Sequence, residues 1–234
     1  MSLKHLKTVL DKNGSVSTSL EAIFQNAATI SDFAAGYFSR IGDLLLRLDL
    51  QAIQKMVETI IAAGNRGNTI YVFGNGGSAA LATHFANDLS VGVRAPGAPP
   101  FRVVSLSDNL AVVTALANDE GYDHVFVRQL EELLTPEDVV LALSASGNSP
   151  NVLKALRYAG RIGAVTIGCC GFDGGSLQKI VDICIHIPTP VGEYGPVEDI
   201  FNILGHLIYS YLKLSLKNQP QCPEKLPGWG DENT

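Results

Sequence analysis

The sequence predicts an α/β fold of the doubly wound type, with a parallel β-sheet covered by helices on both faces. Two patterns predict it. After residue 69, five short apolar and β-branched runs alternate with helical patterns, and these runs are apolar throughout. A strand covered on both faces is continuously apolar, whereas a strand with one wet face alternates with polar residues. Strands separated by helices are parallel, because the helix returns the chain to the edge of the sheet where the strand began.

Each element follows from its local pattern. The predicted strands cover residues 69–73, 101–106, 138–143, 164–169 and 182–187. Helical patterns follow at 78–90, at 109–134 with a break near Gly121, at 149–162 and at 197–216.

Two further helical patterns precede the first strand. Residues 20–48 carry an apolar stripe that needs covering on more than one side, although Gly36 and Gly42 argue against one unbroken helix. Residues 52–63 form another helix, which stops at the sequence GNRG. These N-terminal helices suit either the core of the single chain or a subunit interface, and we expect the interface. The predicted organisation is a helical arm at 1–48, the α/β domain at 49–217 and a flexible tail rich in Pro and Gly at 218–234.

Composition excludes several classes of protein. The chain has 234 residues, of which 46% are hydrophobic and 17% charged, so it has ample material for a core. Its net charge is -6 and its basic residues are scattered, which disfavours nucleic-acid binding. No apolar run approaches the roughly 18 residues of a membrane span. The N-terminus lacks a secretory signal pattern and the four cysteines lack metal-ligand spacing, so we expect a cytoplasmic protein with reduced thiols.

A glycine-rich turn, GNGGSA, follows the first strand at residues 74–79. It satisfies the G-x-G-x-x-A pattern of dinucleotide-binding proteins, in which an acidic residue about 20 positions later holds the ribose. The acidic candidate here, Asp108, comes late. An NAD-binding protein is therefore a weaker interpretation, and Asp108 is retained as a candidate substrate contact.

A second turn, SASGNS, follows the third strand at residues 144–149 and opens a helix at Pro150. Its hydroxyl and backbone N–H groups suit a phosphate dianion at a helix N-terminus. An ordinary helix cap is the alternative, but three serines exceed what one cap needs. The turn lacks a P-loop lysine, which favours a small phosphorylated metabolite over a nucleoside triphosphate. The candidate phosphate and substrate contacts of both turns are Asn75, Gly76, Gly77, Ser78, Ser144, Ser146, Asn148 and Ser149.

Two helices carry histidine and carboxylate pairs. His84 and Asp88 lie four positions apart, so both project from one helix face. On the last long helix, Glu198 precedes His206 by eight positions, which offsets the two side chains by roughly 80°. Asp199 would align better with His206, and geometry alone leaves the choice between these carboxylates open.

Three segments, GNGGSAALATHFANDL, SASGNSPNVLKAL and GPVEDIFNILGHLI, resemble signature segments of the sugar isomerase (SIS) fold, and specifically of the phosphoheptose isomerase family. The resemblance spans roughly residues 15–216. It implies a homotetramer with active sites near subunit interfaces. It also implies an isomerase that converts sedoheptulose 7-phosphate to D-glycero-D-manno-heptose 7-phosphate through an enediol.

The same resemblance implies a divalent metal, with zinc the expected ion, held by His84, Asp88, Glu198 and His206. Two imidazoles and two carboxylates are a sensible donor set for zinc or a neighbouring ion. Asp88 and His206 are the implied acid-base pair. Four positions depart from the family pattern: Asp88 replaces a Glu, Glu198 a Gln, Leu81 an Asp and Ala145 a Thr.

A non-catalytic SIS protein, either a sugar-phosphate-binding regulator or a tetrameric adaptor, is the main alternative to the enzyme. An adaptor has no need of two histidines and two carboxylates at matching positions. Their retention favours the isomerase.

Overall fold

The computed structural model describes residues 19–94 and 100–217. Five parallel strands form one sheet in the order β2-β1-β3-β4-β5, which confirms the predicted fold class. The order reverses between β1 and β3. In doubly wound sheets, ligands bind outside the carboxyl ends of the strands at this reversal. The strands are β1 (Thr69–Gly74), β2 (Arg102–Ser105), β3 (Val139–Ser144), β4 (Val165–Cys170) and β5 (Ile183–His186).

Eight α-helices surround the sheet in the described part of the chain. They are α1 (Leu20–Asn26), α2 (Ile30–Leu45), α3 (Leu50–Arg66), α4 (Gly77–Asn87), α5 (Leu110–Asp119), α6 (Val127–Leu133), α7 (Pro150–Ile162) and α8 (Tyr194–Lys217). A π-helical turn, Asp88–Gly92, continues α4, and short 3-10 turns cover Tyr122–His124 and Leu177–Lys179. The predicted break near Gly121 is confirmed.

The sheet separates two apolar cores. On one face, α2, α3, α4 and α8 pack around residues such as Ile60, Phe85 and Leu141. On the other face, α6 and α7 cover Phe73, whose ring stacks on Phe126 with centroids 4.8 Å apart. Burial on both faces is the reason that β1 and β3 are almost wholly apolar, whereas the edge strand β2 is partly exposed and begins with Arg102.

The N-terminal stripe forms two helices, but the break is not at the glycines. Gly36 and Gly42 both lie inside α2, and the chain turns between α1 and α2 instead. Thr29 caps α2 in a capping box with Asp32, which satisfies backbone N–H groups that would otherwise lack partners. Gly36 allows Ile23 of α1 to pack closely against α2. The boundary between the two helices therefore lies at the N-cap of α2, and the helix continues through both glycines.

The described part of the N-terminal arm is bound to the start of α8. The Arg40 guanidinium is 3% exposed and lies 3.4 Å from the Glu193 carboxylate, which also accepts a 2.7 Å hydrogen bond from the backbone N–H of Leu20. The Tyr37 hydroxyl donates to Asp199 at 2.6 Å. Residues 1–18 of the predicted arm and the predicted tail at 218–234 lie outside the described residues.

Within the residues that the structure describes, no helix combines the length and the hydropathy needed to cross a bilayer.

Candidate active site

The carboxyl ends of β1 and β3 place the glycine-rich turn and the serine turn side by side, at the point where the strand order reverses. Together with the start of α8 they enclose a cleft of about 230 Å³. The lining residues are Asn75, Ser78, Leu143, Ser144, Ala145, Ser146, Ser149, Tyr194 and Glu198. The structure thus brings four of the candidate serines to one place.

Both turns present groups that suit an anion. Ser149 precedes α7 as its N-cap residue, yet its side chain makes no capping hydrogen bond among the described residues. Its hydroxyl is therefore free for a ligand. Ser78 lies in the first turn of α4, and Gly76 precedes it with a φ of 56°, a left-handed conformation that favours glycine. The N-termini of α4 and α7 both border the cleft, so their dipoles favour a negative charge there.

Four candidate contacts are not among the residues that line the cleft: Gly76 and Gly77, which directly precede Ser78, and Asn148 and Asp108. The Asn148 side chain donates to the Ser146 carbonyl at 3.1 Å and accepts from the Ser176 backbone at 2.9 Å, so it braces two loops. Asp108 is exposed just beyond β2. In the sequence, Asp108 already comes further after the glycine-rich turn than the acidic residue of a dinucleotide-binding protein does.

A second group of side chains joins α4 to α8. Nε2 of His84 lies 3.4 Å from Oδ2 of Asp88, and Nε2 of His206 lies 3.7 Å from the same oxygen. The two imidazole rings meet edge to face with centroids 5.0 Å apart. These three residues offer ligand atoms within 4.8 Å of one another, so they could hold a metal ion. Asp88 begins the π-helical turn, a feature frequent at functional sites.

Glu198, the fourth expected ligand, takes a different position. Its carboxylate lies against Gly77 at the start of α4, so closely that a Cβ atom at Gly77 would collide with it. Burial raises the pKa of the Glu198 carboxyl, and the negative charge of Asp199 raises it further. Glu198 therefore borders the serine cleft rather than the group formed by the two histidines and Asp88.

Sequence reasoning missed Asn151 and Tyr122. Asn151 is 2% exposed in the first turn of α7 and exchanges two hydrogen bonds with the Asn75 side chain. Tyr122 donates its hydroxyl to the same Asn75 amide. An asparagine directly after Pro150, in the first turn of a predicted helix, was the available signal for Asn151. No local pattern pointed to Tyr122, because its contact depends on how distant segments pack.

Residues 36–171 match the family model of the SIS domain. The phosphoheptose isomerase of Trichlorobacter lovleyi is 40% identical over 161 residues, which cover 67% of this chain and 80% of that relative. The phosphoheptose isomerase of Syntrophotalea carbinolica is 39% identical over 183 residues, which cover 77% and 92% of the two chains. This chain belongs to the phosphoheptose isomerase family.

The fold is similar to that of a solved member of the family. The structure of the phosphoheptose isomerase from Neisseria gonorrhoeae superposes with a TM-score of 0.71 at 26% sequence identity. The match covers 80% of this chain and 100% of that one. The family assignment made from the three sequence segments is therefore confirmed.

Proposed function

We propose that this protein is an aldose-ketose isomerase that converts sedoheptulose 7-phosphate into D-glycero-D-manno-heptose 7-phosphate. The observation that carries the proposal is that one helix, α4, borders both the serine cleft through Ser78 and the group of polar side chains through His84. Six positions of α-helix advance about 9 Å from Ser78 to His84. A seven-carbon chain spans about 8 Å, given C–C bonds of about 1.5 Å. A phosphate in the cleft would thus leave the first two carbons beside His84, Asp88 and His206.

The cleft would bind the phosphate at the far end of the sugar. Ser78, Ser144, Ser146 and Ser149 would donate hydroxyl hydrogen bonds, and the backbone at Gly76 and Gly77 would add N–H groups at the start of α4. Binding energy from this remote group orients the reacting carbons, which is where it accelerates the reaction.

His84, Asp88 and His206 fit a divalent metal, and we propose zinc. Ligand atoms on a tetrahedral zinc ion lie about 3.4 Å apart, given bond lengths of about 2.0–2.1 Å. The separations of 3.4 Å and 3.7 Å between the imidazole nitrogens and the Asp88 carboxylate match that spacing. A bound ion would supply polarisation of the sugar carbonyl. Three protein ligands leave a position open for the substrate, as catalytic sites require.

Asp88 and His206 would move the protons. One oxygen of Asp88, Oδ2, faces both imidazoles, and the other, Oδ1, lies 3.4 Å from the exposed Asn87 amide. Asp88 would take a proton from C1 of the ketose, which gives an enediolate with its charge on O2, and would return a proton to C2. With Nε2 assigned to the ion, His206 would use Nδ1, which would give its proton to O2 and take the hydroxyl proton of O1, so the atoms of the sugar and of the imidazole are conserved.

We also propose a homotetramer in which the N-terminal helices lie at a subunit interface. The large apolar side chains Phe24, Ile30, Phe38 and Leu46 on and beside α1 and α2 are between 70% and 88% exposed in the single chain. On α8, Leu207, Tyr211 and Leu214 form a second exposed apolar stripe, which lies next to His206. Burial of both surfaces would place the active site near the interface.

The enzyme would act in the cytoplasm, because a doubly charged sugar phosphate does not cross a bilayer and is used where it is made.

Proton exchange tests the function directly. Purified protein is incubated with sedoheptulose 7-phosphate in D₂O while NMR follows the C1 protons and the aldose signals. We expect loss of a C1 proton signal and appearance of the heptose 7-phosphate. Tight binding of the sugar phosphate without exchange would overturn the proposal and favour a non-catalytic sugar-phosphate-binding regulator.

A further inference from the structure

Two asparagine side chains join the glycine-rich turn to the start of α7. Nδ2 of Asn75 donates to Oδ1 of Asn151 at 3.0 Å, and Nδ2 of Asn151 donates to Oδ1 of Asn75 at 2.9 Å. The Tyr122 hydroxyl donates to Oδ1 of Asn75 at 2.9 Å. The three side chains come from three separate segments of the chain, and only Asn75 lines the cleft.

Backbone contacts determine which way both amides point. Oδ1 of Asn151 also accepts a hydrogen bond from the backbone N–H of Val152 at 2.9 Å. If the Asn151 amide were flipped, its NH₂ group would face two donors, the Val152 N–H and Nδ2 of Asn75. This bond orients Asn151, and the orientation of Asn151 sets that of Asn75. Tyr122 must then be the donor. Both amide oxygens accept two hydrogen bonds each, which fills their lone pairs.

We propose that Asn75, Asn151 and Tyr122 form an amide clasp that holds the two phosphate-binding turns at a fixed separation, with Asn75 acting as a positioning residue. The inference rests on one part of the proposed function, namely that the serine cleft binds the phosphate of the substrate. Asn75 lies three residues before Ser78 in the first turn, and Asn151 lies two residues after Ser149 in the second turn. A change in either hydrogen-bonded amide therefore changes the distance between serines that would bind one phosphate.

The buried position of Asn151 makes this arrangement specific. A buried amide that loses its hydrogen-bond partner is left unsatisfied. Loss of one member of the clasp therefore lowers the free energy of unfolding. Asn75 retains one N–H that is not used within the clasp, and its carbonyl oxygen is fully occupied. Its role in the cleft is thus to hold the turn rather than to accept a hydrogen bond from the sugar.

The test measures phosphate affinity in four variants. Inorganic phosphate is titrated calorimetrically into the wild-type protein and into Asn151→Ala, Asn75→Ala, Tyr122→Phe and the double variant Tyr122→Phe/Asn151→Ala. Tyr122 is 53% exposed, so its substitution leaves the fold intact even if a buried asparagine variant is unstable. Circular dichroism verifies that each variant is folded.

We expect Asn151→Ala and Asn75→Ala to weaken phosphate binding by similar factors, about tenfold, because each removes the whole asparagine pair. Tyr122→Phe should weaken it about threefold. The double variant should lose less than the product of the two single losses, because both act through Asn75. With the sugar phosphate, KM should rise about tenfold in Asn151→Ala while kcat stays within about threefold.

Three outcomes would overturn the clasp. One is an unchanged phosphate affinity in a folded Asn151→Ala protein. The second is multiplicative losses in the double variant, and the third is an Asn75→Ala loss far greater than that of Asn151→Ala, which would make Asn75 a direct ligand.

Two control variants remove the same chemical groups elsewhere. Tyr158→Phe removes a hydroxyl from α7, and Asn68→Ala removes an amide that bonds only to Arg66 at 3.1 Å among the described contacts. Both should bind phosphate as the wild type does.

Because the titration uses inorganic phosphate, it tests the clasp separately from the isomerase activity. A protein that binds phosphate through the clasp but exchanges no C1 proton would contradict the isomerase alone.

Discussion

Nε2 of His206 lies 3.7 Å from Oδ2 of Asp88, although the chain between the two residues forms the four strands β2 to β5. His84 approaches the same oxygen at 3.4 Å from one helical turn away. One carboxylate oxygen thus lies near two imidazoles. All three residues line a mainly apolar cavity between α4 and α8.

Substitution of the acid-base pair should abolish catalysis. Asp88→Asn keeps the size of the side chain but removes the base, and His206→Ala removes the imidazole, so each should lower kcat by at least about 100-fold. The C1 proton exchange assay measures the loss, and circular dichroism verifies the fold. Asp43→Asn on α2 is the matched control and should exchange at the wild-type rate. Wild-type turnover in either active-site variant would refute its assigned role.

Metal content should depend on the three-residue group. Elemental analysis of the purified protein should find about one divalent ion per chain, and His84→Ala should lower that content well below one. Glu198→Gln should retain the ion, because the Glu198 carboxylate lies against Gly77 instead of beside the histidines. Loss of the ion from Glu198→Gln would show that this carboxylate moves to the metal. Activity that persists without metal would contradict the metal proposal.

The serine at the start of α7 should affect binding more than stability. Replacement of a capping serine by alanine usually costs about 1 kcal/mol, but Ser149 makes no capping hydrogen bond in the described structure. Ser149→Ala should therefore unfold within about 0.5 kcal/mol of wild type in urea while its KM rises several-fold.

Ser19→Ala is the opposite control, because Ser19 accepts the Ala22 N–H at 3.2 Å and caps α1. It should lose stability and keep its KM. Equal behaviour of the two variants would argue against a phosphate role for Ser149.

The contact of α2 with α8 should weaken at alkaline pH. Burial raises the pKa of Tyr37, and its hydrogen bond and charge interaction with Asp199 raise it further. A raised pKa means that the folded state retains the proton more strongly, so the contribution to stability is complete below about pH 10 and is lost as the pH rises beyond it. Tyr37→Phe should therefore be less stable than wild type at pH 8, and the difference should shrink above about pH 10. A difference independent of pH in urea unfolding would contradict this account.

A charge on the exposed N-terminal surface should disrupt the proposed oligomer. Phe38 is 71% exposed and Leu46 88% exposed, so a glutamate at either position leaves the described core intact. Phe38→Glu and Leu46→Glu should convert a tetramer into smaller species in multi-angle light scattering. Lys179→Glu, at an exposed position of the 3-10 turn Leu177–Lys179, should remain tetrameric. A monomeric wild-type protein would refute the interface.

Local patterns predicted much of the fold and part of the site. The apolar runs predicted all five strands, and the four-residue spacing of His84 and Asp88 predicted their common helix face. The N-terminal stripe was correctly predicted not to be one unbroken helix, but the glycines were the wrong reason, because α2 begins at the capping box of Thr29 and continues through Gly36 and Gly42. Asn148 was predicted with the serines as a phosphate contact, and residue type alone did not reveal that its side chain also bonds two loops.

What the sequence determined by itself is what neighbouring residues decide: the strands, the helices, the two turns that follow β1 and β3, and the family. What only the tertiary structure decided is which distant groups meet. It brought His206 to Asp88, left Glu198 at the cleft and joined Asn75 to Asn151 and Tyr122. The reason is physical. Helix and strand periodicity depends on a few adjacent residues, whereas the approach of two side chains from different elements depends on the order of the strands and on how the helices pack across the sheet.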